Sequence, residues 1–154
     1  MQLLDGKKTA QDIKDEIQAE VAQMKLEGKK VPHLAAVLVG NDGASLTYVG
    51  SKVRSCEQVG IQSTLVRLED SISEEALLEE IDKLNADSSV DGYIVQLPLP
   101  NHINEERILM AVDPIKDVDG FHPSNFGKMA LEMQAFIPAT PFGIVELLKR
   151  YHID

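Results

Sequence analysis

The chain has no tryptophan and one cysteine, Cys56. A lone cysteine excludes an internal disulfide and fits a reducing compartment. No apolar run is long enough to cross a bilayer, and the opening stretch MQLLDGKKTAQDIKDE is too charged for a secretory signal. Together these absences point to a cytoplasmic protein with no membrane partner. Basic residues are scarce, 15 Lys and Arg against 25 Asp and Glu, and the net charge of -10 argues against a nucleic-acid partner. Neither the G-x-G-x-x-G nor the P-loop spacing occurs, so the glycine-containing GNDGAS (40–45) is read as a turn and helix start rather than a phosphate cradle. The four histidines, His33, His102, His122 and His152, are scattered and receive no catalytic role. No acid or histidine stands at ligand spacing beside Asp117 and Asp119 except His122, so no metal is expected.

What is present is enough for one domain with a real core: 154 residues, 44% apolar and 26% charged. Residues 7–27 carry Ala10, Ile13, Ile17, Val21 and Met24 at helical spacing, and Gly28 stops the run. HLAAVLVG (33–40) is a continuous apolar run ending in glycine, as expected of a strand buried on both faces. A helix follows over 44–59, closed by Gly60, then a strand over 61–68. A third helix opens at Ser73 and buries Leu77, Leu78, Ile81 and Leu84, and a third strand covers 91–97. Strands alternating with helices predict an α/β fold, a three-layer αβα arrangement around a mainly parallel sheet. After Pro100 turns dominate, anchored by Val118, Phe121, Phe126, Phe136 and Ile137; a long ordered loop of this kind is more often a site than a linker. Thr140 as N-cap and Pro141 at the first helical position open a last helix, with Ile144, Leu147, Leu148 and Tyr151 on its apolar face.

Three segments carry candidate chemistry. On the 44–59 helix, Leu46, Val49, Val53, Cys56 and Gly60 share an apolar face, while Ser45, Tyr48 and Lys52 form a stripe at its edge. A lysine there can be desolvated and recruited for proton transfer. From this segment alone the simpler reading is a lysine snorkelling from a packed helix beside a half-buried tyrosine. Cys56 on the apolar face reads as a structural thiol. In VQLPLP, Gln96 falls at the carboxyl end of the third strand, where open α/β sheets bind ligands. It can bond a neighbouring lysine or a ligand amide, and Pro98 and Pro100 stiffen the backbone behind it. In DVDGFHPSN, Asp117 and Asp119 alternate along expected extended backbone and would point to the same side, with Gly120 permitting a turn. A single carboxylate there suits an amino-pyrimidine edge better than a metal.

In order and spacing, VGNDGASLTYVGSK, EALLEEIDKLNADSSVDGYIVQLPLP, PIKDVDGFHPSNFGK and PATPFGIVELL resemble the methylenetetrahydrofolate dehydrogenase/cyclohydrolase family, over essentially the whole chain. The resemblance implies oxidation of methylenetetrahydrofolate with NADP, less often NAD, followed by hydrolysis of the methenyl form to the formyl form. It implies Lys52 as the central catalytic group, Tyr48 beside the folate ring, Gln96 bonded to the lysine, and Asp119 on the amino-pyrimidine edge of the pterin. Ser45, Leu97 and Pro98 are implied as further substrate-binding positions; Arg54 and Lys128, which the resemblance does not assign, are local cations that could meet the anionic folate tail. Tetrahydrofolate derivatives are the implied ligands, and a homodimer the implied form of the full-length protein.

Two departures accompany the resemblance. Ala139 stands where the family linker usually carries cysteine. The family's Gly-Arg-Ser dinucleotide signature and late Pro-Gly-Gly-Val-Gly-Pro segment do not occur. The expected organisation is therefore a folate-binding catalytic domain over 1–139 and an interdomain helix over 140–154 leading to an absent NAD(P)-binding domain. Such a piece by itself is expected to lack dehydrogenase activity. A non-catalytic folate-binding module and a monofunctional cyclohydrolase are the alternatives.

Overall fold

The computed structural model describes residues 3–153; Met1 and Gln2 of the charged opening stretch and Asp154 of the 140–154 segment lie outside the described residues. Its elements run α1 (Gly6–Leu26), β1 (His33–Val39), α2 (Gly43–Val59), β2 (Gln62–Leu68), α3 (Glu74–Ala86), β3 (Gly92–Val95), α4 (Glu105–Ala111), α5 (Pro123–Ala130) and α6 (Ala139–Arg150). The three strands form a parallel sheet in the order β2-β1-β3.

The central strand explains the layers. Ala35, Val37 and Val39 of β1 point with Tyr93 and Val95 of β3 toward Leu77, Ile81 and Leu84 of α3 and Ile108 of α4. Ala36, Leu38 and Ile94 point the other way, toward Val49, Leu46 and Val53 of α2. Side chains of a strand alternate between faces, so a strand covered on both sides must be apolar throughout, as β1 is. The arrangement is the expected αβα sandwich. β2, at the sheet's edge, buries far less, and Leu65 stands exposed.

Local chemistry sets the helix ends that frame the site. The Asp42 carboxylate accepts the Ser45 N–H to cap α2, and Gly60 closes that helix with φ +81°. Ser73 caps α3 through the Ala76 N–H.

The structure corrects several expectations. Two helices, α4 and α5, interrupt what reads as turns after Pro100. Asn104 caps α4 with two glutamates in its first turn, and His122 caps α5 with Pro123 behind it. Both helices are only about two turns long, too short for their apolar periodicity to stand out. Helix α6 begins two residues early, at Ala139, with Pro138 in the cap position and no side-chain capping bond, so Thr140 is not its N-cap. Its apolar face is weakly covered: no residue of α6 is buried, and Ile144 is 57% exposed. Phe121, Phe126, Phe136 and Ile137 are also exposed rather than anchored; of that group only Val118 packs into the core, against the Ala36–Leu38–Ile94 face. In α1, Val21 is buried but Ala10 is exposed.

Candidate functional site

An open cleft of about 420 Å³ lies at the carboxyl end of the sheet. Its wall is made by Tyr48 and Lys52 of α2, Val95, Gln96 and Leu97 from the end of β3, Asp119 and Phe121 of the following loop, and residues 138–141. Four distant stretches of sequence therefore meet at one place, at the strand ends where open α/β sheets bind ligands.

The sheet determines where Gln96 sits. The Gln96 N–H donates to the Val37 carbonyl at 2.9 Å, extending the ladder one residue beyond β3. Its side-chain amide donates to the Leu97 carbonyl at 2.7 Å, which leaves Oε1 toward Lys52. Lys52 Nζ lies 3.5 Å from that oxygen, at the long end of hydrogen-bonding range. The Leu97–Pro98 peptide is cis.

Lys52 is partly buried on the flank of α2, while Tyr48, one turn earlier, is 65% exposed. The tyrosine ring is thus free to lie against a ligand rather than fill the core. Ser45, on the same stripe, is only 3% exposed and is not on the cleft wall. Pro98 also stands off the wall, behind Leu97. Arg54 and Lys128 do not line the cleft either; Lys128 borders a separate hollow with Pro114, Ile115 and Phe136. Lys52 is the one basic group and Asp119 the one acidic group on the wall among the described residues.

The two aspartates of DVDG do not share a side, because the extended backbone does not continue past Asp117. Asp117 pairs with Tyr93 in a parallel bridge along the outer edge of β3, and residues 118–119 then form a turn. The Tyr93 N–H donates to the Lys116 carbonyl at 2.9 Å, and the Tyr93 hydroxyl donates to Asn85 Oδ1 at 2.7 Å. The same Asn85 oxygen accepts the Asp113 N–H, so α3 and β3 together hold the start of this loop. Asp117 turns inward and is buried; Asp119 turns into the cleft. Gly120 makes the reversal possible. Its φ is +70°, and a Cβ there would stand 2.5 Å from the Phe136 carbonyl oxygen. The Asp119 loop is thereby wedged against the segment that continues into residues 138–141 of the wall.

Burial raises the Asp119 carboxyl above its ordinary range, opposed by the nearby Lys52 charge and reinforced by Asp117. The folded chain then holds a proton that the unfolded chain has already released. Stability must fall as pH climbs from the ordinary aspartate range to the raised value, and level off above it. Asp119→Asn removes that slope. The variant is expected to have a higher urea midpoint than the parent at pH 7 and an equal one near pH 3, where both side chains are neutral. An unchanged midpoint at both pH values would contradict the burial effect.

Burial likewise pushes the Cys56 thiol up, away from the thiolate form, consistent with a structural role. His122 is buried as a helix cap, its Nδ1 accepting the Ser124 N–H. No cluster of three or more His, Cys, Asp or Glu side chains able to hold a metal occurs among the described residues. The GNDGAS turn is also closed to phosphate in the manner of a dinucleotide loop, because the Asp42 carboxylate already occupies the α2 N-terminus. No helix among the described residues is long and apolar enough to cross a membrane.

The wall residues that the sequence did not single out as site residues are Val95, Phe121 and 138–141. Phe121 stands beside the aspartate pair, and PATP announces a helix start, but nothing local tells that the two meet.

The arrangement can orient a flat, polar ligand and move a proton beside it. Comparison with known proteins agrees in family. Residues 4–119 match the family described as tetrahydrofolate dehydrogenase/cyclohydrolase, catalytic domain. A bifunctional protein FolD of Flavobacterium johnsoniae is 69% identical over 154 residues, covering 100% of this chain and 52% of the relative. The crystal structure of a Campylobacter jejuni bifunctional FolD methylenetetrahydrofolate dehydrogenase/cyclohydrolase superposes with a TM-score of 0.95 at 46% identity, covering 100% of this chain and 55% of that one. A Trypanosoma brucei methylenetetrahydrofolate dehydrogenase-cyclohydrolase, solved with NADP cofactor and inhibitor, gives 0.91 at 31% identity, covering 97% and 51%. The chain spans about half the length of the curated relatives it matches.

Proposed function

Since the chain belongs to the tetrahydrofolate dehydrogenase/cyclohydrolase catalytic-domain family, we propose that its cleft binds tetrahydrofolate derivatives and carries the proton chemistry of methenyltetrahydrofolate hydrolysis. The observation that carries this reading is the meeting of Lys52, Gln96 and Asp119 on one wall with the exposed Tyr48 ring. In the proposed pose, Asp119 accepts N–H bonds from the amino-pyrimidine edge of the pterin, and Tyr48 lies beside the ring system. This puts the one-carbon bridge near Lys52.

Hydrolysis adds water to the amidinium-like carbon and then breaks one of its C–N bonds. A proton must leave the attacking water, and one must reach the departing nitrogen. Lys52 is the basic side chain on the wall, and Gln96 Oε1 accepts from it without itself titrating. Lys52 therefore takes and returns the proton in this reading. Gln96 and the Leu97 backbone hold it in place.

Oxidation of the methylene form transfers a hydride from the one-carbon bridge to a nicotinamide. For the whole protein we propose NADP as that acceptor, supported by the NADP-bound relative. The residues described do not form a dinucleotide cradle, so no step of that reaction is assigned to them. The proposed organisation is a catalytic domain over 1–139 and an interdomain segment over 140–154, begun by α6, that leads to a further domain. It is supported by the weak coverage of α6 and the doubled length of the relatives. A cytoplasmic homodimer is proposed for the whole protein on the family resemblance, with the single buried cysteine fitting a reducing compartment.

Calorimetric titration with tetrahydrofolate tests the core of the proposal. The chain is expected to bind. Asp119→Ala should weaken binding roughly tenfold to a hundredfold, the usual worth of hydrogen bonds to a charged group. Absence of binding by the parent would overturn the reading.

A further inference from the structure

Asp117 stands outside the cleft, yet its geometry controls what the cleft presents. Its side chain is 5% exposed and accepts four N–H groups. Oδ1 takes those of Gly120 at 3.0 Å and Phe121 at 3.4 Å; Oδ2 takes that of His122 at 2.8 Å and the Asn125 amide at 2.9 Å. Asn125, 3% exposed on α5, also donates to the Pro114 carbonyl at 2.8 Å. All of the partners are neutral N–H donors that converge on one buried carboxylate, each stabilised by the charge it faces. The three backbone donors follow Asp119 in sequence and the acceptor precedes it. The bonds therefore close a ring of chain around Asp119.

We infer that Asp117 and Asn125 form a clasp whose role is to hold the 117–122 turn so that the Asp119 carboxylate enters the cleft. They are positioning residues, acting on the ligand through Asp119. This rests on the proposal that Asp119 contacts a tetrahydrofolate derivative. The physical reason is leverage. Asp119 sits on a two-residue turn, and its side chain has no hydrogen-bond partner among the described residues, so its direction depends on the backbone either side. A buried network with every member satisfied has one geometry, and loss of one member frees the rest.

The decisive variant is Asn125→Ala, which removes one clasp donor and leaves the three backbone donors. Asp117→Asn is the second, turning an acceptor into a donor against the same N–H groups. Circular dichroism establishes that each is folded at the assay temperature, and Asn125→Ala alone suffices if Asp117→Asn is not. Tetrahydrofolate affinity is measured for Asn125→Ala in the parent and in the Asp119→Ala background. The Asp119 carboxyl titration is followed by carbon NMR without ligand. The expected result is an affinity loss of about tenfold in the parent and less than about twofold where Asp119 is already absent, a coupling that only contacting or network residues show. The Asp119 titration should also move down toward the ordinary aspartate range, because the released side chain regains water.

Equal losses in both backgrounds with an unmoved titration would mean a merely structural role and overturn the inference. If Asp119→Ala alone leaves affinity intact, the folate pose fails, and the titration then judges the clasp by itself. A downward move upholds it and an unmoved curve overturns it.

Discussion

Replacing Lys52 with methionine is expected to abolish methenyltetrahydrofolate hydrolysis while leaving tetrahydrofolate affinity within a few-fold of the parent, in the protein that carries these residues. Methionine keeps most of the apolar stem that packs along the flank of α2 and removes only the amine. Loss of a positioned proton-transfer group typically costs 10² to 10⁴ in rate, and no other basic group on the wall among the described residues can replace it. Affinity should survive because Tyr48 and Asp119, not the amine, make the proposed ring contacts. The measurement is a paired one, steady-state hydrolysis and equilibrium binding on the same preparation. Near-normal hydrolysis would remove Lys52 from the mechanism. Loss of binding in step with activity would make it a ligand contact rather than a proton carrier.

Gly120→Ala is expected to be the most damaging of the small substitutions near the cleft. Alanine at φ +70° is strained, and its methyl would fall 2.5 Å from the Phe136 carbonyl oxygen. Because that neighbour is backbone, no side chain can swing aside. Left-handed strain plus a forced backbone shift costs on the order of 3 kcal/mol. Denaturant melting should show that loss with an unchanged slope. Tetrahydrofolate binding should weaken as well, since the Asp119 turn and the 136–141 segment are pushed apart at their contact. A variant as stable as the parent, with intact binding, would mean that the two walls of the cleft are not rigidly joined at this point.

The alternation of strands and helices was readable from the chain because both covered faces of a buried strand must be apolar. HLAAVLVG announces β1 without ambiguity, and Gly60 and Ser73 mark helix ends by chemistry that acts within a few residues. The Tyr48–Lys52 spacing, the strand-end Gln96 and the Asp119 loop were each visible as candidates for the same reason. Short helices were not: α4 and α5 are held by Asn104 and His122 caps and by packing of single residues such as Ile108 and Asn125, signals too brief for periodicity. Local pattern alone, without the family resemblance, could not tell Asp117 from Asp119 either. They look equivalent in DVDG, and it takes the bridge to Tyr93 and the left-handed Gly120 to send one into the protein and the other into the cleft.

The sequence by itself therefore determined the αβα layering, the parallel sheet and the family, because those follow from local hydrophobic pattern and from the order of motifs along the chain. Only the tertiary structure decided which residues share a wall. Ser45 and Pro98 lie off the wall despite their neighbours, and Phe121 and residues 138–141 lie on it despite their distance from Lys52. The reason is that a cleft is defined by contacts between segments far apart in sequence. Those contacts depend on where the sheet aligns its strand ends and on how a buried carboxylate folds one loop.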